Sequence, residues 1–381
     1  MSGNGTEMNP ADEQDRNRAR VAGLTSWHHD WSGLRVAVLG LGAIGFSVAD
    51  TLVELGSRVR VIHAEPDPDR ERLLDVIGGE RFRAGSHPEQ LGDLAAFGPD
   101  LVVASPEFRL DHPLTAWAAE RGIPVWGDIE LGWRLRDKTN RIADWICIAG
   151  ARGKTTTAQL AAHMLAASGL RVAPAGDAEA PILDALRDPQ GYDAIVVELS
   201  TLQLARLGEI SPYASACLNF GEERGDAAGT ADAGDAGDAE DRGDAGVRGD
   251  AETRWAAMAR VYEHTQVACV YNRADLETER MVEEADVVEG ARAISFGLDS
   301  PPPSGFGIVE EILVDRGFHA ERRSEAYELV TLDELAELRL ATPQLVQNLL
   351  AASALARARG AEPTEIAQAI LNYHRAARER E

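Results

Sequence analysis

The chain has no apolar run near the ~20 residues that span a membrane. Its first twenty residues, MSGNGTEMNPADEQDRNRAR, contain no apolar core and argue against a secretory signal. Cysteine is scarce: Cys147, Cys217 and Cys269 sit singly in the apolar runs WICIAG, SACLNF and VACVYN. No CxxC or Cys/His spacing suggests zinc. An odd set of isolated thiols points to buried small hydrophobes in a reducing compartment, so the cytoplasm is the expected location. Basic residues are outnumbered, 38 Lys+Arg against 63 Asp+Glu, giving a net charge of −25. Neutralising nucleic-acid phosphates takes clustered Lys/Arg, so neither nucleic acid nor a membrane is an expected partner.

The 381 residues suffice for two or three domains, and 44% are hydrophobic. Residues 34–39 (LRVAVL) read as a buried strand, residues 40–45 (GLGAIG) as a glycine turn, and residues 46–55 as a helix ended by Gly56. Strands follow at 58–63, 101–104 and 123–126. The alternation restarts after Asn140. A strand at 144–149 (DWICIA), a loop at 150–154 (GARGK) and a helix at 155–168 lead to strands at 194–199, 214–219 and 267–272. Such alternation predicts an α/β protein built on parallel sheets. Amphipathic helices are expected at 343–359 and 363–375. Between the elements lies a Gly/Asp/Ala tract. Residues 221–252 hold 11 acidic and 3 basic residues, a local charge of −8. The tract has too little apolar surface to offset chain entropy, so residues 225–252 are expected to be a disordered insertion. Its irregular spacing speaks against a calcium-binding repeat.

The strongest chemical signal is Gly150-Ala151-Arg152-Gly153-Lys154-Thr155, followed by Thr156. A strand ending in a glycine loop that opens a helix aims backbone N–H groups at an anion. Lys154 would neutralise β- and γ-phosphates, and the Thr155 hydroxyl would meet magnesium. Ile148 stands where the full Walker pattern has its first glycine, so only the shorter GxxGKT form is met. The bland alternative is a glycine turn with a surface lysine. Glu198, near the end of the strand AIVVEL, is a candidate second oxygen for the metal, although a strand-end charge alone would mean little. GLGAIG fits GxGxxG, with glycines that let backbone approach a diphosphate. His63 and Glu65 fall where a dinucleotide fold usually offers its acid, which gives NAD little support.

GLGAIGFS, SPEFRLDHP, GIPVWGDIEL, GARGKTTT, YDAIVVELSTLQL, LNF, VYNRAD and PQLVQNLLAASAL occur in this order. Together they resemble the landmarks of the Mur ligase family, of the D-glutamate-adding (MurD) type. The TSWHHDWSGLRVAVLG opening resembles actinobacterial forms. The resemblance runs from about Thr25 to the C-terminus.

It implies a Rossmann-like domain for the UDP of UDP-N-acetylmuramoyl-L-alanine, a central P-loop ATPase domain, and a third domain for D-glutamate. ATP would activate the substrate carboxylate as an acyl phosphate, which the D-glutamate amine attacks. On this chain the implied layout is a disordered leader at 1–30, the UDP domain at 31–140, the ATPase domain at 141–376, and a tail at 377–381 where the third domain would begin. That third domain is expected to be absent. The resemblance also implies a soluble monomer taking ATP and Mg²⁺. Gly40, Leu41, Gly42, Ala43, Ile44 and Gly45 would face the UDP. Gly150 to Thr156 would face the triphosphate, with Lys154, Thr155 and Glu198 at the reacting phosphate. Asn272, Asp275 and Asn348 would lie around adenine and ribose, although Asn348 could equally serve its own helix.

Several positions depart from the family pattern. Ala149 and Ala151 replace two threonines of TGTNGKTTT, and Arg152 replaces its Asn. Glu107 replaces the glycine of an SPG turn. Asp177 replaces a substrate-facing Asn. Arg224 stands where a metal-binding His is expected and Gln344 where another His is. Met258, in RWAAMARVY, takes the place of the lysine the family carbamylates. A thioether is a poor magnesium ligand, so a non-catalytic relative that binds nucleotide or UDP-muramoyl substrate is the competing expectation. A folylpolyglutamate-type ligase is a third reading, against which GLGAIGFS and GDIEL count.

Overall fold

The computed structural model describes residues 19–221 and 251–378, which divide into two units. The first contains residues 19–140 together with Pro181–Pro189 and Arg206–Gly208; the second contains the remainder.

In the first unit five parallel strands lie in the order β3-β2-β1-β4-β5. They are β1 (Arg35–Leu39), β2 (Arg58–His63), β3 (Glu80–Arg83), β4 (Leu101–Ala104) and β5 (Val125–Trp126). Residues 35–39 pair with 58–62 on one side, and 36–39 pair with 101–104 on the other. β1 and β4 are buried almost throughout, because helices cover the sheet. Edge strand β3 (ERFR) alternates half-buried with exposed and carries two arginines, so its apolar content gave no signal.

The helices have local causes. Asp67 caps Pro68–Ile77 by accepting from the Arg70 amide, with proline in the first turn and left-handed Gly78 behind it. Gly56, at φ +82°, stops the chain after Ala43–Glu54.

Two boundaries need correction. Residues 19–30, expected in the disordered leader, are packed: Val21 and Leu24 are buried, and Asp137 accepts from the Ser26 hydroxyl at 2.5 Å and the Trp27 amide at 2.7 Å. Residues 1–18 of that leader lie outside the described residues. The short helix Ile182–Leu186, expected in the ATPase domain, belongs to the first unit. It rests on helix Asp128–Leu135, where a Cβ on Gly132 would lie 3.2 Å from Ile182. The Ser47 hydroxyl donates to Asp184, and Arg187 pairs with Asp50 and Glu54. Its sequence carries no break that would have revealed this.

The second unit holds a nine-stranded sheet, β14-β13-β12-β11-β10-β9-β6-β8-β7. Its strands are β6 (Asp144–Ala149), β7 (Val172–Ala175), β8 (Ala194–Glu198), β9 (Ala214–Cys217), β10 (Ala268–Asn272), β11 (Arg292–Phe296), β12 (Gly305–Val309), β13 (Ile312–Asp315) and β14 (Tyr327–Thr331). β7 to β12 and β6 run parallel; β13 and β14 add an antiparallel extension. β7 contains Pro174 and lies at the edge, where a missing N–H is tolerated.

Helix Pro343–Ala358 was expected to be amphipathic. It is buried continuously from Asn348 to Ala356, because alanines and Ser353 let neighbours approach on all sides. Near its end Arg357 pairs with fully buried Asp315 at 2.9 Å. Residues 225–250 of the expected insertion lie outside the described residues. Residues 251 and 252 open helix Ala251–Ala259. Helix Pro363–Arg378 extends into the expected tail, and residues 379–381 lie outside the description. Among the described residues no helix is long and apolar enough to cross a membrane.

Candidate functional site

Each unit places a glycine turn directly after a central strand, at a point where the neighbouring strands lie on opposite sides. That is where open α/β sheets leave a crevice.

In the second unit the strand is β6, flanked by β8 and β9. Gly150 follows at φ +149° and Gly153 at φ +85°, a backbone that side chains resist. Helix Lys154–Ala167 then begins after Gly153, a cap residue with no side chain to bond its first N–H groups. Those groups have no partner within the helix and carry its positive end. Lys154 Nζ donates to the Gly150 carbonyl at 2.9 Å, which holds the ammonium across the loop. The register Ile148↔Glu198 brings the end of β8 beside the loop. There the Thr155 hydroxyl donates to Glu198 Oε2 at 2.7 Å. The structure thus brings Glu198 to Thr155, with the Lys154 ammonium held across the same loop.

The loop is also clamped from outside. Asn219 Oδ1 accepts from the Arg152 amide at 3.0 Å, its Nδ2 donates to the Arg152 carbonyl at 2.9 Å, and its carbonyl accepts from the Ala151 amide. Sequence reasoning used LNF only as a landmark and missed this function. An amide two residues beyond a strand adjacent to the loop was the available signal. On the other side, Asn348 Oδ1 lies 2.6 Å from where a Cβ on Gly153 would be, and it accepts from Gln344 Nε2 at 3.2 Å. Asn348 is therefore at the loop, while Gln344 extends its amide beside it.

Asn272 and Asp275 have structural work. Asn272 Nδ2 donates to the Leu218 carbonyl, and its Oδ1 accepts from the Ala274 amide. Asp275 accepts from the Phe220 amide at 2.7 Å and caps helix Leu276–Glu284 through the Glu277 amide. They fix the chain that follows β9 and so support the loop from below. Asp177 closes a local turn, its Oδ1 accepting from the Glu179 and Ala180 amides. An asparagine oxygen could make the same two bonds. Met258 is buried and 1% exposed, one turn from Tyr262, whose hydroxyl donates to the Val270 carbonyl and accepts from the Cys217 amide. Burial pushes the Tyr262 phenol well above its ordinary value. Arg224 lies outside the described residues. Among those described, no three His, Cys, Asp or Glu gather as a metal cluster.

In the first unit the turn follows β1. Gly40 sits at φ +98°, and a Cβ on Gly45 would collide with the Gly40 carbonyl. Gly42 starts helix Ala43–Glu54 with no capping side chain and open space where a Cβ would be. Leu41 is buried, while Ala43 and Ile44 are half-buried. Around the turn lie Ser105, Glu107 and Phe108, the three side chains nearest to Gly40's missing Cβ. Arg206 donates to the carbonyls of Ser105 and Phe108. Burial lowers its guanidinium to about 10, against the opposing pull of Asp128 and Glu107. His63 is buried at the end of β2, with Nδ1 2.9 Å from the Glu65 carbonyl, so it serves the strand end.

No protein-family model matches the chain. It is 56% identical over 355 residues to the UDP-N-acetylmuramoylalanine–D-glutamate ligase of Leifsonia xyli, covering 90% of this chain and 65% of that one. It is 40% identical over 357 residues to the protein of the same name in Tropheryma whipplei strain Twist, covering 92% and 69%. The Streptomyces avermitilis ligase of that name is 39% identical over 337 residues, covering 87% and 65%. The chain therefore spans about two thirds of the length of the curated relatives it matches. Among solved structures, the UDP-N-acetylmuramate:L-alanyl-gamma-D-glutamyl-meso-diaminopimelate ligase of Neisseria meningitides has a TM-score of 0.54 at 14% identity, covering 89% of this chain and 98% of that one. A murein peptide ligase from Psychrobacter arcticus has a TM-score of 0.51, also at 14% identity, covering 89% and 68%. Likeness at that identity is one of fold, and it agrees with the expected α/β architecture.

Proposed function

We propose that this chain, which belongs to the UDP-N-acetylmuramoylalanine–D-glutamate ligase family, binds ATP in its second unit and a UDP-muramoyl substrate in its first. The reaction it serves is amide formation between D-glutamate and UDP-N-acetylmuramoyl-L-alanine, in peptidoglycan precursor synthesis. The γ-phosphoryl group of ATP passes to the substrate carboxylate, releasing ADP. The amine then attacks the acyl carbon, and phosphate leaves with the C–O bond.

The observation that carries the ATP reading is the uncapped helix start at Lys154, with its ammonium over the loop and the Thr155–Glu198 pair beside it. Phosphoryl transfer depends mainly on positioning and charge neutralisation, which backbone amides and a lysine supply. Thr155 and Glu198 offer two hard oxygens 2.7 Å apart. That suits Mg²⁺, which takes few protein ligands and completes its shell with phosphates and water. Bound there, the ion would neutralise phosphate charge, and Lys154 would orient the terminal phosphates. Buried free thiols support a reducing, cytoplasmic setting. The test is calorimetric titration with ATP–Mg²⁺: Lys154→Ala should bind roughly 100-fold more weakly than wild type. Equal affinities would remove the phosphate-loop assignment.

A second reading rests on Met258. Its buried thioether occupies the position where the family pattern has a lysine carboxylated to serve a second metal. This favours a nucleotide- and UDP-muramoyl-binding relative that does not turn over by itself. Incubating the purified chain with ATP, D-glutamate and UDP-N-acetylmuramoyl-L-alanine should then give no dipeptide product; product formation would discard the second reading.

A further inference from the structure

The glycine turn of the first unit is prepared for an anion and already has one beside it. Helix Ala43–Glu54 begins uncapped, and Gly42 leaves open space for a ligand. The Ser105 hydroxyl is 3% exposed and has no hydrogen-bond partner among the described residues. It lies 3.0 Å from where a Cβ on Gly40 or on Gly45 would be, so it is aimed into the turn. An orphaned buried hydroxyl at a helix start indicates an acceptor that belongs there. Into the same place reaches Glu107. Its Oε1 is the atom nearest to Gly40's missing Cβ, nearer than Ser105 Oγ or the Phe108 ring.

Resting on the reading of this turn as the UDP site, we propose that the Glu107 carboxylate is a built-in competitor for the anion position at the start of helix Ala43–Glu54, so that a nucleoside diphosphate gains the turn only by displacing or neutralising it. The side chain is free to yield: part of it is exposed, and the atom in the way is the end of a flexible chain. The surroundings set the charge. Arg206 attracts the carboxylate, but it is engaged by the Ser105 and Phe108 carbonyls and faces Asp128 as well. His112 stacks edge-on against Phe108 and His87; burial, then His87 and Arg206, lower its pKa and favour the neutral ring. Arg109 pairs with Asp111 at 2.9 Å. Desolvation dominates for Glu107 and pushes its carboxyl above the usual range, against its own amide and Arg206. Two anions at one helix start repel, so ligand binding draws a proton to Glu107.

The test uses the full chain, calorimetry and UDP-N-acetylmuramoyl-L-alanine, whose diphosphate diester keeps its charge across the range. Wild type should bind about tenfold more tightly near pH 6 than near pH 8. Glu107→Gln should bind about tenfold more tightly than wild type near pH 8 and lose most of that pH dependence, and Glu107→Gly should behave alike. His112 is retained in all three proteins, so a slope that persists in the variants belongs to it. Equal affinity and equal slope in wild type and variants overturn the role of Glu107 and leave the turn as a ligand site. Absence of binding in all three proteins overturns the turn's assignment, and the proposal with it.

Discussion

The two glycine turns share a backbone plan and differ in charge. Each follows a central parallel strand, each opens a helix with no capping side chain, and each depends on left-handed glycine. In the second unit the turn holds Lys154 across the loop, with Asn219 clamping Arg152. In the first a carboxylate lies beside the turn and a hydroxyl points in without a partner among the described residues. The same geometry is therefore tuned by side chains from other strands. A helix start attracts anions in general, and its neighbours decide which anion and at what pH.

The comparison can be broken most sharply at Lys154. Lys154→Ala should weaken ATP–Mg²⁺ binding by roughly 100-fold, the loss of a charge-assisted contact, and leave UDP-muramoyl binding alone. A variant that changed both affinities equally would show that the turns are not independent sites. Gly45→Ala should cost about 2–3 kcal/mol in chemical denaturation, because the new methyl meets the Gly40 backbone, which cannot move without the turn. Gly153→Ala should cost less, about 1 kcal/mol from its positive φ, since the obstacle is the Asn348 side chain. Reversed costs would mean the rigid and yielding neighbours have been misjudged.

Next in size, Asn219→Ala should lower ATP affinity about tenfold by freeing Arg152, while stability drops by only ~1 kcal/mol. A loss of stability without a loss of affinity would make Asn219 a plain structural residue. The smallest effect concerns pH and stability in the first unit. A carboxyl raised on folding binds more protons folded than unfolded, so stability declines as pH rises from the usual carboxylate range through the raised value. Glu107→Gln should flatten that part of the melting-temperature profile. An unchanged profile would place the carboxylate in water.

Much of the parallel framework was legible in the sequence. Strands β1, β4, β6, β8, β9 and β10 are largely apolar runs between turn signals, and burial on both faces is what produces such runs, while β2 alternates arginine with valine. The glycine loop before Lys154 was legible because its signature places glycine, lysine and threonine at contiguous positions. β3, β7 and β11 to β14 were not: edge strands β3 and β7 tolerate arginine and proline, while β11 to β14 are short runs of four or five residues broken by polar residues and glycine. The bonds of Asn272 to Leu218 and of Asp275 to Phe220 were not legible, because those partners are distant in sequence.

By itself the amino-acid order determined what is contiguous: the apolar strands, the two glycine turns, the Lys154–Thr155 pair and the excess of acid. Tertiary structure decided what depends on distant residues meeting. It brought Glu198 to Thr155, Asn219 around Arg152, and Glu107 with Ser105 to Gly40, and it gave Ile182–Leu186 to the first unit. The reason is that hydrogen bonds and charges act over a few ångströms in space, while sequence records only neighbours along the chain.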